Sequence, residues 1–168
     1  MTDIVEAATA EQFDEVRSLI RDFVQWHRQT HFADIALIDR YFDPVAFEAE
    51  LAGLPGKYGP PTGALLLASH EGQPAGCVAM HDIGDGAAEM KRMFVRPAFR
   101  GLGIGRTLAD GIVAAARAAG YGRMRLDTSR NQIEAVGLYR RVGFKPIEPY
   151  YPLSDDLREW LVFYELEL

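Results

Sequence analysis

Three glycines alternate with other residues in the stretch RGLGIGR, residues 100–106. The apolar periodicity of the following residues predicts a helix that begins inside this stretch, so the glycines leave the amide groups of its first turn free of side chains. Such amide groups, together with the positive end of a helix dipole, attract anions, and Arg100 and Arg106 add positive charge at either edge of the loop. The spacing indicates a phosphate-binding loop, although glycines also serve simply as turns.

Two familiar phosphate-binding patterns do not fit this loop. A P-loop requires Gly-Lys followed by Ser or Thr, whereas here Gly105 leads into Arg106 and Thr107. A dinucleotide-binding fold places G-x-G-x-x-G directly after a strand, but this loop reads G-x-G-x-G and lies four residues beyond its predicted strand. Asp127 stands about 20 residues downstream, where that fold has its ribose-binding acid, and we interpret this position as a coincidence.

The charges are distributed unevenly along the chain. The net charge is −6, yet residues 91–145 contain 12 of the 18 basic residues and only the acids Asp110, Asp127 and Glu134. That window carries +9 and the remainder −15. The basic window favours a polyanionic ligand, with solvated helix faces as the alternative, and the acidic remainder argues against a nucleic-acid partner.

Composition and length predict one globular domain spanning residues 1–168. A lone cysteine, Cys77, excludes an internal disulfide and a thiolate metal site. The first residues lack the basic and apolar regions of a signal peptide, and no apolar run approaches the roughly 20 residues that cross a bilayer. We therefore expect a cytoplasmic protein with no membrane partner.

The pattern of apolar residues predicts an α/β fold. Thr9 and Gln12 form a predicted capping box before an amphipathic helix that reaches about His27, and Asp43-Pro44 begins a second helix. Three strands follow, joined by turns at EGQP and GDG, and then strand and helix alternate, which predicts a parallel pair with a crossover helix. Further helices are predicted at 103–119 and 132–142, and the last strands in FKPIEP and EWLVFYELEL.

Two segments resemble the GNAT superfamily of N-acetyltransferases. VRPAFRGLGIGR, residues 95–106, resembles the pyrophosphate loop of that family, and AVGLYRRVGF, residues 135–144, resembles its later helix. The two motifs occur in the right order, and the resemblance covers residues 64–168 well but the first sixty only by the order of strands and helices. It implies a single GNAT-like domain with a mixed central sheet of about six to seven strands and about four flanking helices. It also implies acetyl-CoA as cosubstrate and no metal.

The resemblance assigns the cofactor-binding residues. The backbone of the strand before the loop is expected to pair with the pantetheine arm, and the loop itself to bind the diphosphate. The residues that match are Met93, Phe94, Val95, Arg100, Gly101, Leu102, Gly103, Ile104, Gly105 and Arg106. Relatives often have an asparagine near the start of the later helix, and Asn131 and Gln132 compete for that position.

The resemblance also assigns the catalytic residues. Glu89 matches the carboxylate that acts as general base, often through water, since a lysine-like amine with a pKa near 10.4 must lose a proton before it attacks. His81 is the alternative base, although a strand histidine is more often structural. Tyr139 matches the tyrosine that protonates the departing thiolate, whereas periodicity alone predicts a core residue there.

Aromatic residues and the acidic remainder suggest the acceptor. Trp26, Phe32, Tyr41, Phe42, PYYP (residues 149–152) and Trp160 are predicted to wall its site. His27 and His31 are spaced as zinc ligands, but the glutamate and third ligand are missing, so we interpret them as a solvated or substrate-lining pair. Aromatic rings and negative charge both attract ammonium groups, which favours a small molecule with a primary amine that attacks the thioester directly. A protein or peptide acceptor, and a non-catalytic acetyl-CoA-binding sensor or interaction module, remain alternatives, and a homodimer is compatible with the resemblance.

Overall fold

A computed structural model describes residues 1–168 and contains one seven-stranded sheet in the order β1-β2-β3-β4-β5-β7-β6. Only β4 and β5 run parallel, and the helix between them makes the crossover that the sequence predicts. The α/β fold class with a mixed sheet is confirmed. The strands are β1 Thr2–Glu6, β2 Ala64–His70, β3 Gln73–Asp82, β4 Ala87–Val95, β5 Arg123–Ser129, β6 Lys145–Ile147 and β7 Leu161–Glu167.

Six helices flank the sheet, two more than the sequence predicted. They are α1 Ala10–Thr30, α2 Ile35–Tyr41, α3 Pro44–Ala52, α4 Ile104–Ala118, α5 Ile133–Val142 and α6 Asp155–Trp160. The two additional helices, α2 and α6, have seven and six residues, which is too short for a helical period to show clearly in the sequence. The predicted last strand was therefore wrong at its start, because Glu159 and Trp160 end α6.

Side-chain caps begin α1 and α3 as the sequence predicts. The amide of Gln12 donates to Thr9 Oγ1 at 3.2 Å, and the Thr9 amide donates back to Gln12 Oε1 at 3.1 Å. The amide of Ala46 donates to the Asp43 carboxylate at 3.0 Å, with Pro44 in the first turn. These local signals begin two of the helices that cover one face of the sheet.

The hydrophobic core lies in two layers, one on each face of the sheet. Helices α1, α2, α3 and α6 cover one face, and α4 and α5 cover the other. Alternation along β2 shows the division, since Leu65 and Leu67 pack in the first layer and Leu66 in the second. The same alternation in β4 puts Glu89 on the α1 face, because Ala88 and Met90 pack on the α4 face.

The two parallel strands separate halfway along their length. Residues 87–89 of β4 pair with residues 123–125 of β5, and the pairing ends there although both strands continue. Strand β5 pairs with β7 on its other side along its whole length. A cleft therefore opens between the carboxyl ends of β4 and β5, where the backbone of β4 has no paired strand on the side that faces β5.

A bulge in β4 accompanies this separation. Ala79 of β3 pairs with Lys91, whereas Cys77, two residues away, pairs with Phe94, so β4 holds one extra residue. Arg92 lies in the bulge with φ +57°, and its carbonyl accepts a hydrogen bond from the Cys77 thiol at 3.3 Å. The bulge turns the end of β4 away from β5, and no feature of the sequence announced it.

Candidate active site

Two adjoining cavities lie at the separation of β4 and β5. The outer groove has a volume of about 610 Å³ and runs between α1, the end of β4, the glycine loop and α5. The inner cavity, about 40 Å³, lies between the diverging strands under α2 and α6. Phe23, Met93 and Gln132 line both, so the groove leads into the cavity. The inner cavity is much the smaller of the two, so only the end of a ligand fits inside it.

The glycine loop presents a row of free amide groups to the outer groove. Gly101 and Gly103 have φ of +81° and +78°, the left-handed conformation that favours glycine. No protein acceptor receives a hydrogen bond from the amides of residues 101–106, and the first helical bond of α4 runs from the Thr107 amide to the Gly103 carbonyl at 3.1 Å. The loop therefore has the unpaired donors and the helix terminus that suit an anion.

Nine of the ten predicted cofactor residues line this groove. Leu102 does not, since its side chain points to solvent and the residue is 53% exposed. Arg141 from α5 also lines the groove, and the sequence motifs did not single it out. The only feature of the sequence that pointed to Arg141 was its position in the basic window, residues 91–145. Whether these residues contact a cofactor stays a prediction.

The two loop arginines are held by the protein itself. Arg100 Nε donates to the Val95 carbonyl at 3.0 Å, and its guanidinium lies 4.3 Å from the centre of the Trp26 ring. Arg106 Nε donates to both carboxylate oxygens of Asp110 at 3.0 Å. The sequence predicted both charges at the edges of the loop; in the structure each guanidinium already has a protein partner, whereas the loop amides have none.

Tyr139 points from α5 into the inner cavity. The residue is 6% exposed, and its hydroxyl has no hydrogen-bond partner in the protein. Burial, and then the negative charge of Asp127, raise the pKa of Tyr139, so the phenol keeps its proton at neutral pH. A protonated hydroxyl is thus available to whatever enters the cavity.

Glu89 is buried behind the cavities rather than in them. Its carboxylate accepts a hydrogen bond from the Tyr150 hydroxyl at 2.5 Å, and lies 2.9 Å from His81 Nε2 and 3.4 Å from Lys91 Nζ. Burial alone would raise the pKa of Glu89, but the hydrogen bond with His81, the charge of Lys91 and the hydrogen bond from Tyr150 lower it to about 2. Glu89 and His81, the two predicted bases, therefore lie in one hydrogen-bonded group, and neither lines a cavity.

Asp127 is a second buried carboxylate, and it does line the inner cavity. Its side chain is fully buried and accepts hydrogen bonds from the hydroxyls of Tyr41 and Tyr151, with Lys91 Nζ 3.7 Å away. Lys91 also donates to the Tyr41 hydroxyl at 2.9 Å. Sequence reasoning considered Asp127 only as a ribose-binding acid, although a carboxylate near the end of a buried strand was itself a signal.

Ser129, two residues further along β5, also lines the inner cavity. It is 2% exposed, and its hydroxyl has no hydrogen-bond partner. An unpaired buried hydroxyl costs about 1–3 kcal/mol, so its position calls for an explanation. No motif or periodicity in the sequence indicated this residue.

The predicted acceptor walls divide between the cavities. Tyr41, Phe42 and Trp160 line the inner cavity, Trp26 lines the groove, and Phe32 is 75% exposed and lines neither. From the PYYP segment, Tyr150 and Tyr151 bind the two buried carboxylates.

The two histidines contact each other, with 3.0 Å between their Nδ1 atoms. His27 lines the inner cavity and His31 the groove, and no group of three or more metal-ligating side chains surrounds them. Gln132 places its Nε2 atom 3.3 Å from His27 Nε2 and lines both cavities, whereas Asn131 lines the groove alone and donates to Asp34 at 2.7 Å.

The site combines a helix start with free amide groups and a narrow cavity that a protonated phenol and a carboxylate border. This combination suits a group-transfer enzyme with a phosphate-bearing cosubstrate. Residues 20–144 match the model of the Acetyltransferase (GNAT) family, and the chain belongs to this family. It is therefore an acetyl-CoA-dependent N-acetyltransferase, as the resemblance implied.

Relatives and solved structures agree with this membership. An uncharacterized N-acetyltransferase of Schizosaccharomyces pombe is 40% identical over 143 residues, which cover 84% of this chain and 81% of the relative. A GNAT-family acetyltransferase of Staphylococcus aureus superposes with a TM-score of 0.76 at 21% identity over 99% of both chains. The PaiA N-acetyltransferase of Thermoplasma acidophilum, solved with coenzyme A, superposes with a TM-score of 0.73 at 16% identity over 100% of this chain and 99% of that one. At these identities the two structures support the fold alone. No helix of the chain combines the length and the apolar character that a membrane crossing needs.

Proposed function

We propose that this enzyme transfers the acetyl group of acetyl-CoA to a primary amine of a small molecule, by direct attack of the amine on the thioester. The observation that carries the proposal is the inner cavity, which has a volume of about 40 Å³ and opens from the groove. Such a space takes a narrow group, and the amino end of a small amine fits it. The aromatic rings of Tyr41, Phe42 and Trp160 on its walls suit an ammonium group.

The outer groove fits the cosubstrate. The free amides of residues 101–106 suit the diphosphate, and the unpaired edge of β4 beyond residue 89 offers backbone groups to the pantetheine arm. A pantetheine arm bound in this way would place its thioester between the groove and the inner cavity, near Met93, which lines both.

Tyr139 and a buried carboxylate divide the chemistry. The Tyr139 hydroxyl donates a hydrogen bond to the sulfur as the carbon–sulfur bond breaks. Full proton transfer from a phenol with a raised pKa to a thiolate is uphill, so the hydrogen bond supplies the stabilisation of the developing charge. The amine loses its proton to a carboxylate of the cluster around Lys91, to which Glu89 belongs.

A panel of acceptors tests this function. Purified protein with acetyl-CoA is offered aliphatic and aromatic amines, polyamines, amino acids, and peptides with free amino termini or lysines, and thiol release is followed against a reaction without acceptor. We expect turnover with one class of small amines and no competition by the peptides. Tight acetyl-CoA binding with only background thiol release would support the sensor alternative, and peptide turnover would support the protein acetyltransferase.

A further inference from the structure

We propose that Asp127 and Ser129, at the end of β5, hold the acceptor's amino group, and that the Asp127 carboxylate takes its proton. This inference rests on the proposed function and goes beyond it by naming the amine subsite and the base. It replaces Glu89, the base that the family resemblance implied, with a second carboxylate on another strand.

Position is the first argument for Asp127. It lines the inner cavity together with Tyr139, whereas Glu89 lines neither cavity. A base must come within hydrogen-bond reach of the proton it removes, and Asp127 borders the space where an amine would meet the thioester, with its carboxylate buried in the wall of that space. The carboxylate of Glu89 is also buried, and Tyr150, His81 and Lys91 enclose it away from both cavities.

The surroundings of Asp127 keep it in place without using all of its acceptor capacity. Tyr41 and Tyr151 donate one hydrogen bond each to its two oxygens, and a carboxylate offers about four acceptor positions. Lys91 Nζ, at 3.7 Å, places a positive charge beside the carboxylate. The other charged or titratable side chains on the elements around it are Glu89 and Arg92 of β4, Tyr139 of α5, His27 of α1, and Tyr150.

Ser129 is the second, independent observation. Residues 127 and 129 of a strand point to the same face, so the unpartnered Ser129 hydroxyl lies on the side of β5 that carries Asp127. Proteins rarely bury a hydroxyl without a partner, and this one borders a cavity. A bound amine would donate one N–H to Ser129 Oγ and another to Asp127, which satisfies the hydroxyl that the protein leaves unpaired.

In the proposed step, Asp127 takes one proton from the bound ammonium, which frees the nitrogen lone pair. The nitrogen then forms a bond to the thioester carbonyl carbon and loses its second proton to solvent, and the carbon–sulfur bond breaks. The sulfur keeps that electron pair, is hydrogen-bonded by Tyr139, and takes a proton from solvent, while Asp127 returns its own proton to solvent.

Asp127→Asn compared with Glu89→Gln tests the assignment. Each variant removes one buried negative charge beside Lys91, so the pair is matched in electrostatic disturbance. We expect Asp127→Asn to lower kcat/KM for the amine by about 10²- to 10⁴-fold, the usual contribution of a general base, with a loss at least tenfold smaller for Glu89→Gln. Coenzyme A affinity, measured by calorimetry, should be unchanged in both, and the exposed Asp3→Asn serves as the neutral control. An equal or larger loss for Glu89→Gln overturns the proposal.

The pH profile separates a base from a merely structural carboxylate. Without Asp127, only amine that is already neutral in solution reacts, so kcat/KM of Asp127→Asn should rise about tenfold per pH unit toward the acceptor's own pKa, near 10.4 for a lysine-like amine. The wild-type profile should level off at lower pH. Parallel profiles for the two proteins would contradict the role.

Ser129→Ala tests the subsite in a protein whose folding is not at risk. Because the hydroxyl makes no bond in the free protein, its removal should leave the melting temperature unchanged or higher. The KM for the amine should rise about three- to tenfold, as expected for one lost hydrogen bond, while the KM for acetyl-CoA stays constant. An unchanged KM for the amine overturns this half of the proposal. If the wild-type protein itself turns over no amine, the proposed function fails instead, and the two failures are distinguishable.

Discussion

Tyr139 is the residue at which a core role and a catalytic role compete. Its ring packs in the second core layer against Phe144, and its hydroxyl faces the inner cavity without a partner. Tyr139→Phe removes only that hydroxyl, so we expect an unchanged melting temperature and a fall in kcat of about 10²-fold. Tyr164→Phe is the control, since Tyr164 is 2% exposed in the same layer, lies away from the cavities, and loses only a hydroxyl that accepts a hydrogen bond from Arg140 Nε at 3.3 Å. Full turnover by Tyr139→Phe would leave it a core residue.

His27 makes the stability of the protein depend on pH. Burial, and then the charge of His31, lower the pKa of His27 from 6.5 to about 4. Since the folded-state pKa is the lower one, the contribution to stability is fully present above pH 6.5 and is lost as pH falls toward 4. Between pH 7 and pH 5 the loss is about 2 kcal/mol, at 1.36 kcal/mol per pKa unit.

Urea unfolding of the wild type and of His27→Gln at both pH values measures this loss. The wild type should lose more stability than the variant on acidification, by roughly the same 2 kcal/mol. Glu89 does not interfere, because its lowered pKa, about 2, confines its own contribution to changes below pH 4.5. A constant difference between the two proteins across this range would show that folding does not lower the pKa of His27.

The glycine loop is the element that we propose binds the diphosphate of acetyl-CoA. Gly103→Ala forces a side chain onto φ +78°, which costs about 1–2 kcal/mol or shifts the loop and its amide groups. Gly72, in the turn between β2 and β3, has the same φ, and an added Cβ would meet no atom within 4 Å at either glycine. Gly72→Ala therefore carries the same backbone strain far from the groove. We expect similar falls in melting temperature, but weaker coenzyme A binding by calorimetry only for Gly103→Ala. Equal affinities would show that the loop does not bind the diphosphate.

Elements with strong local signals were predictable, and those shaped by contacts were not. Helix α1 is predictable from its capping box and apolar period, and the end of α5 is predictable from Gly143. Helices α2 and α6 have at most two turns, and they form because Ile38 and Trp160 are buried against the sheet. The bulge at Arg92 depends on two neighbouring strands, so no single stretch of sequence contains it.

The same limit applies to the side chains of the site: residues within a local motif were predictable, and residues that the fold brings together were not. The loop residues and Tyr139 were found because each lies in a continuous motif. Asp127 and Ser129 were not predicted as site residues, because only the fold brings them into one cavity with their neighbours. Helices α2 and α6 and strand β4, which are distant in sequence, contribute Tyr41, Trp160 and Lys91 to that cavity. Motifs thus predicted most of the residues that line the outer groove, whereas the arrangement around the inner cavity required the three-dimensional structure.

The charge distribution of the whole molecule gives a final test. The +9 window contains the three arginines of the outer groove, Arg100, Arg106 and Arg141, in a protein whose net charge is −6. Long-range attraction of this kind is screened by salt, with a Debye length of about 10 Å at 0.1 M and about 3 Å at 1 M. Raising NaCl from about 0.05 to 0.5 M should therefore increase the KM for acetyl-CoA several-fold. S-acetylpantetheine, which has the thioester but no phosphates, should show a constant KM over the same range. A parallel rise for both would mean that salt acts on the fold or on the acceptor side, and that the basic window does not recruit the phosphates.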